Sequence, residues 1–347
     1  MLRNFITLAT WSAAALAAPH TPQARSNSFS TRAADYEGYA FIYFTSSNEQ
    51  IYIAASDGND ALSFTELNGG QPILQSTEGD RGLRDPFVMR SKEDDKFFIF
   101  ATDLCIGCGT DWGTAQRFGS RYIEVWESAD LINFSAQRHV LVSPENYGMT
   151  WAPEAYYDNT IDKYVVYWAS GIYDNANDPD HDPITYPRMV YATTDDFVTF
   201  SEPVIWQDAP PEGRIDSTVI QENGVFHRFT KATLNGCADI VQESSTSLTA
   251  PLGDWTKIAS CIGGNAGTAS VEGPCIFKTN PGDVNGERFI LLADEYGGGG
   301  YVPLESSSLT EPKWTLNRNY KYPTTPRHGT VVPLTGTELD NIRSHYG

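Results

Sequence analysis

A short pattern recurs five times along this chain: an ionisable residue beside Pro or Gly at the head of an apolar, β-rich stretch. It reads Arg84-Asp85-Pro86-Phe87-Val88, Trp151-Ala152-Pro153-Glu154-Ala155, Arg214-Ile215-Asp216-Ser217-Thr218, Val271-Glu272-Gly273-Pro274-Cys275 and Arg327-His328-Gly329-Thr330-Val331. Taken at 85, 154, 216, 272 and 328, the ionisable residues are 69, 62, 56 and 56 positions apart. That period exceeds the common helical solenoid repeats and approaches the longest propeller blades. The first strand of a propeller blade lines the central channel. One register of the repeat therefore predicts Asp85, Glu154, Asp216, Glu272 and His328 facing a common axis. Solubility does not require such a ring of titratable groups, so it marks a candidate catalytic centre.

Each repeat divides into short strands between turn residues, with no helical periodicity. In one blade the strands fall at 86–90, 97–102, 122–128 and 134–140; in the next, at 155–157, 164–170, 188–193 and 200–205. Strands at 39–45, 50–56 and 64–67 have no inner strand before them, while 327–334 is an inner strand with nothing after it. Joined, they make one four-stranded blade and close the ring with both ends of the chain. The expected fold is all-β, a five-bladed β-propeller forming a single domain over 39–347.

Residues 1–18 carry Arg3, an apolar run from Phe5 to Ala17 and small residues at Ala15, Ala17 and Ala18, the features of a secretory signal. The Ser-, Thr- and Pro-rich stretch 19–38 is read as a disordered leader. Export makes disulfides the expected use of the cysteines, in place of CxxC redox or zinc chemistry. Cys105–Cys108 and Cys237–Cys261 are the expected pairs, with Cys275 a buried thiol. A net charge of −20 excludes nucleic acid and anionic membranes as natural partners. No later segment reaches the ~20 apolar residues of a membrane span. The expected protein is an extracellular monomer.

Several carboxyls converging on one dry cavity cannot all keep their ordinary proton affinity. Burial and like charge raise one, and an adjacent Arg lowers another. That split yields one protonated acid and one ionised base, the pair that glycosidic cleavage needs. Trp151 at the channel mouth offers an aromatic face to sugar C–H surfaces.

Taken in order, Arg-Asp-Pro, Trp-Ala-Pro-Glu, Ile-Asp, Glu-Gly-Pro and Arg-His-Gly-Thr resemble the motif set of glycoside hydrolase family 43, from about Tyr39 to the end. The resemblance implies a five-bladed propeller that cleaves arabinose-, xylose- or galactose-containing glycans with inversion. It implies Asp85 as general base, Glu272 as general acid and Asp216 as the auxiliary acid that tunes and positions Glu272. It further implies that Arg84, Trp151, Glu154, Arg327 and His328 bind the substrate. His328 matches a histidine that in some members faces a channel metal, often calcium; the chemistry itself needs no cofactor. Glu154 stands where the family more often has Asp, and Ser217 where Pro is frequent, which bears on the sugar accepted. An α-L-arabinofuranosidase or β-xylosidase is the leading expectation, with a galactosidase or galactofuranosidase of the same fold as the alternative.

Two other functions remain open at this level. Retaining fructan-cleaving propellers share Arg-Asp-Pro but carry an upstream Asn-Asp-Pro-Asn, which does not occur before Arg84 here. A glycan-binding propeller would repeat one site in every blade, whereas the five residues of this ring differ. The segment from Asp294 to Tyr301, with four consecutive glycines, reads either as a rim loop near the pocket or as a long hairpin turn.

Overall fold

The computed structural model describes residues 35–174 and 177–347; the signal and nearly all of the leader lie outside them. The chain begins with β1 (Tyr36–Thr45), β2 (Asn48–Ser56) and β3 (Phe64–Glu66), then β4 (Leu83–Arg90) and β5 (Phe97–Asp103). A helix, α1 (Trp112–Phe118), precedes β6 (Tyr122–Ser128) and β7 (Arg138–Leu141). Next come β8 (Trp151–Asp158), β9 (Lys163–Gly171), β10 (Pro187–Thr194) and β11 (Val204–Gln207). They are followed by β12 (Arg214–Glu222), β13 (Val225–Leu234), β14 (Cys237–Ser245) and β15 (Thr256–Ala259). After α2 (Ile262–Ala266) come β16 (Glu272–Lys278), β17 (Phe289–Glu295), β18 (Gly300–Ser306) and β19 (Thr315–Leu316). The chain closes with β20 (Arg327–Thr335) and α3 (Gly336–Tyr346).

These strands form five four-stranded antiparallel sheets, a five-bladed β-propeller. The first sheet has the order β20-β1-β2-β3, so the last strand supplies the inner edge of the blade begun by the first three. The inner strands β20, β4, β8, β12 and β16 pack each against the next, and β16 returns to β20. Strand alternation explains why the sequence reads as near-continuous apolar runs. Successive residues point to opposite faces, and both faces of a blade are buried against neighbouring blades. Tyr39, Phe41 and Tyr43 of β1 join the wedge shared with β16–β18, while Ala40 and Ile42 join the wedge shared with β4–β6. In β9, Tyr164, Val166 and Trp168 face one neighbour, and Val165, Tyr167 and Ala169 the other. The core is five such wedges, one per blade interface.

Both disulfides pair as expected, and Cys275 is a buried thiol. The expectation of no helices fails at the chain's end. In α3 the Thr335 side chain accepts from the Glu338 amide, and the Glu338 carboxylate accepts from the Thr335 amide, a full capping box. Leu339 and Ile342 of α3 plug the wedge between the first two blades. The Gly-rich segment is a tight turn: β17 runs to Glu295 and β18 starts at Gly300, so Asp294 is a strand residue. No helix among the described residues is long and apolar enough to cross a membrane.

Candidate active site

Each inner strand carries a break in pairing register at its start, between Arg84 and Phe87, Trp151 and Glu154, Ile215 and Ser217, Glu272 and Cys275, and Arg327 and Thr330. Such a bulge re-aims the side chain it carries. In four strands the residue at the break has left-handed backbone: Asp85 (φ 49°), Ala152 (49°), Asp216 (54°) and Gly273 (53°). The structurally equivalent positions are therefore 85, 152, 216 and 273, with His328 at the matching place in its motif. The ring expected from sequence mixed registers. Glu272 precedes the bulge of its strand and Glu154 follows the bulge of its own by two residues.

Asp85 is the best-held carboxylate. Thr102 donates its hydroxyl to Asp85 Oδ2 at 3.0 Å, and His328 Nδ1 lies 3.3 Å from Oδ1. Thr102 also accepts the amide of Ala152 at 2.8 Å, tying the site to the next blade. Burial pushes the Asp85 carboxyl up, but His328, Arg84 and Thr102 outweigh it and hold it below the usual carboxylate range. His328 is the reciprocal case: burial disfavours its charge, yet Asp216, Asp85 and Glu154 raise it to about 9. The imidazole is thus a cation among three carboxyl groups.

Asp216 and Glu272 are pushed the other way. Burial raises Asp216, with His328 opposing and Asp85 adding to it, while the Gly273 amide donates to its Oδ2 at 3.1 Å. Burial, Asp216 and Asp294 together lift Glu272 to about 7, against the pull of His328 and Arg327. Arg327 Nη2 stands 3.7 Å from Glu272 Oε1, while its Nε donates to Asp294 Oδ2 at 2.6 Å. One carboxyl is held ionised and another keeps its proton up to about pH 7, in the same cavity.

That cavity, about 490 Å³, is walled by Arg84, Asp85, Trp151, Asp216, Glu272, Arg327 and His328 among others. Seven of the eight residues singled out from sequence are thus brought together. Glu154 is the exception. It is 5% exposed and lies off the cavity wall, because alternation beyond the bulge carries it one layer down the channel. There Tyr167 donates to it at 3.2 Å, Thr218 also bonds it, and burial raises it to about 8. Its charge is one of the influences that raise His328, and it is not among the residues that line the cavity.

Sequence reading missed Glu49, Trp112 and Asp294. Glu49, in the β1–β2 hairpin, accepts from Arg84 Nη1 at 2.5 Å and from the Gly107 amide at 2.9 Å, so it anchors both Arg84 and the Cys105–Cys108 loop. Arg84 is also sandwiched by Phe44 (4.7 Å) and Trp112 (5.3 Å). Trp112, placed at the start of α1 by its Asp111 cap, meets Trp151 edge to face at 5.8 Å and forms an aromatic rim. None of these residues recurs from blade to blade, so the repeat could not flag them.

The Nδ1 of His328 is engaged with Asp85, which leaves Nε2 as the ring nitrogen that would face a channel ion. Among the described residues, the groups with three donors close enough to hold an ion are Asp103–Glu124–His139 and Cys237–Asp239–Cys261, and His328 belongs to neither.

Gly273 is required where it stands. A Cβ there would lie 2.7 Å from His328 Cγ, on a backbone with φ 53°. We expect Gly273→Ala to cost about 1–3 kcal/mol of stability and to displace His328 from Asp85. Thermal unfolding and turnover should therefore fall together.

A closed five-bladed ring brings carboxyls of split proton affinity together in one cavity. A family model described as "Probable glycosyl hydrolase domain" matches residues 34–340, and the chain belongs to this group of family-43-related glycoside hydrolases. Over 329 aligned positions it is 34% identical to an alpha-L-arabinofuranosidase of Bifidobacterium longum subsp. longum. The match covers 84% of this chain and 30% of that protein, so the chain spans less than a third of the relative's length. Among solved structures, an alpha-L-arabinanase of Cellvibrio cellulosa complexed with arabinohexaose superposes with TM-score 0.53 at 11% identity, covering 82% of this chain and 95% of that one. An endo-1,4-beta-xylanase of Bacteroides thetaiotaomicron gives 0.52 at 14% identity, covering 86% and 96%. At those identities the likeness concerns the fold.

Proposed function

We propose that this protein is an exported, monomeric, inverting exo-glycosidase that removes arabinofuranosyl side chains from plant or microbial polysaccharides. The observation that carries the mechanism is the opposed tuning of two carboxyls in one cavity: Asp85 held low, Glu272 raised to about 7. They sit on β4 and β16, the two strands flanking β20, with Arg327 and His328 between them. Inversion requires the two carboxyls to stand roughly 6.5–9.5 Å apart, with a water between base and sugar.

In this reading Asp85 takes a proton from the water as its oxygen attacks the anomeric carbon, and Glu272 gives its proton to the departing glycosidic oxygen. Bond formation and cleavage occur on opposite faces of the sugar. Asp216 keeps Glu272 protonated by its charge and orders the neighbouring Gly273 amide. Arg84 and Arg327 contact sugar hydroxyls, and the Trp112–Trp151 rim stacks on the ring. The arabinofuranosidase name of the Bifidobacterium relative supports the choice of sugar. Two disulfides in a chain with an N-terminal signal pattern support export.

Nitrophenyl α-L-arabinofuranoside, β-xyloside, β-galactoside and β-galactofuranoside, each with and without chelator, test the substrate. The arabinofuranoside should be cleaved fastest and without loss in chelator. Preference for a galactoside would reassign the sugar, and chelator sensitivity would bring a channel ion into the account. Activity on none, with glycan binding retained, would favour a binding propeller.

A further inference from the structure

One buried carboxylate beside the site has no part in the roles above. Asp294 is fully buried on β17, directly opposite Glu272 in the β16–β17 register, so the two side chains are cross-strand neighbours. Its Oδ2 accepts from Arg327 Nε at 2.6 Å and from the His328 amide at 3.3 Å. Its Oδ1 is buried with no hydrogen-bond partner. Leaving a buried charged oxygen unpaired costs stability, and a neutral residue at this place would avoid that cost.

We propose that Asp294 is a positioning residue for the general acid: it restrains the Arg327 guanidinium from closing further on Glu272 and sets a second carboxylate, paired to that guanidinium, beside it. The proposal rests on Glu272 being the acid. Other charged groups facing Glu272 are Asp216 from β12, and Arg327 and His328 from β20, with Tyr296 on the cavity wall. Asp294 and Asp216 favour the protonated acid; Arg327 and His328 oppose it. With Asp294 neutral, two changes act in the same direction. One repelling charge is lost, and Arg327, already 3.7 Å from Glu272 Oε1, loses the partner that restrains it.

The test is the pH profile of kcat/KM for Asp294→Asn, with Asp294→Glu as the charge-conserving control. The alkaline limb of Asp294→Asn should move down by about one pH unit, with activity near pH 5 within a few-fold of the parent. In Asp294→Glu the limb should return toward its original place. A limb that stays put, or a uniform loss at every pH, would overturn the proposal and leave Asp294 a structural residue. If Asp294→Asn does not fold, Arg327→Met is the second variant. Removing the opposing cation should raise the limb, and an unmoved or lowered limb would refute the proposal. Full activity in Glu272→Gln would instead remove the acid assignment, and the proposal with it.

Discussion

Glu272→Gln should slow hydrolysis of a natural arabinoside by about 10²–10⁴-fold, the usual worth of a positioned general acid. The loss should depend on the leaving group. A sugar alkoxide must be protonated as it departs, whereas dinitrophenolate leaves readily as an anion, so the dinitrophenyl glycoside should be nearly spared. The sign of the pH dependence follows from the same residues. With Asp85 as the proposed base, activity should rise as pH passes that carboxyl's lowered pKa. With Glu272 as the proposed acid, it should fall as pH passes about 7. Glutamine cannot titrate, and the residual activity of Glu272→Gln should lose that alkaline limb. Equal losses on both leaving groups would place the acid elsewhere.

Asp85→Ala should produce a loss of similar size that ignores the leaving group, because activation of the attacking water is common to every substrate. The substitution also strips His328 of its nearest partner and leaves Thr102 with only the Ala152 amide. A small anionic nucleophile needs no base. Azide should restore part of the activity, its terminal nitrogen bonding the anomeric carbon as Glu272 protonates the departing oxygen. The product is then a glycosyl azide of inverted configuration. Failure of azide to restore turnover in a folded variant would argue against Asp85 as the base.

What was legible in the sequence was whatever repeats. The blade count and the closure by β20 follow from spacing and alternation, as do the second and third strands of the blades at 83–141 and 151–207, whereas β4 and β8 begin before the expected starts at 86 and 155. The register of the channel did not, because each inner strand inserts a bulge, and bulges cannot be counted from residue types. Counting through them makes Glu154 an equivalent of Asp85, where the structure has Ala152, and Glu272 another, where the structure has Gly273 one residue later. The capping box of α3 was visible as Thr335-Gly-Thr-Glu338 and was passed over because the rest of the chain reads as strands. Glu49 and Trp112 come from a hairpin and a short helix that occur once. Asp294 gains meaning only after the β16–β17 register sets it opposite Glu272.

The proposed roles, Asp85 as base and Glu272 as acid, require single displacement, and product stereochemistry reports on that directly. Proton NMR of the first turnovers on the preferred nitrophenyl α-L-arabinofuranoside, recorded before mutarotation, should show β-L-arabinofuranose first, with the α anomer growing in only as the sugar equilibrates. Initial release of the α anomer would mean retention through a covalent intermediate and would contradict the roles assigned to both carboxylates.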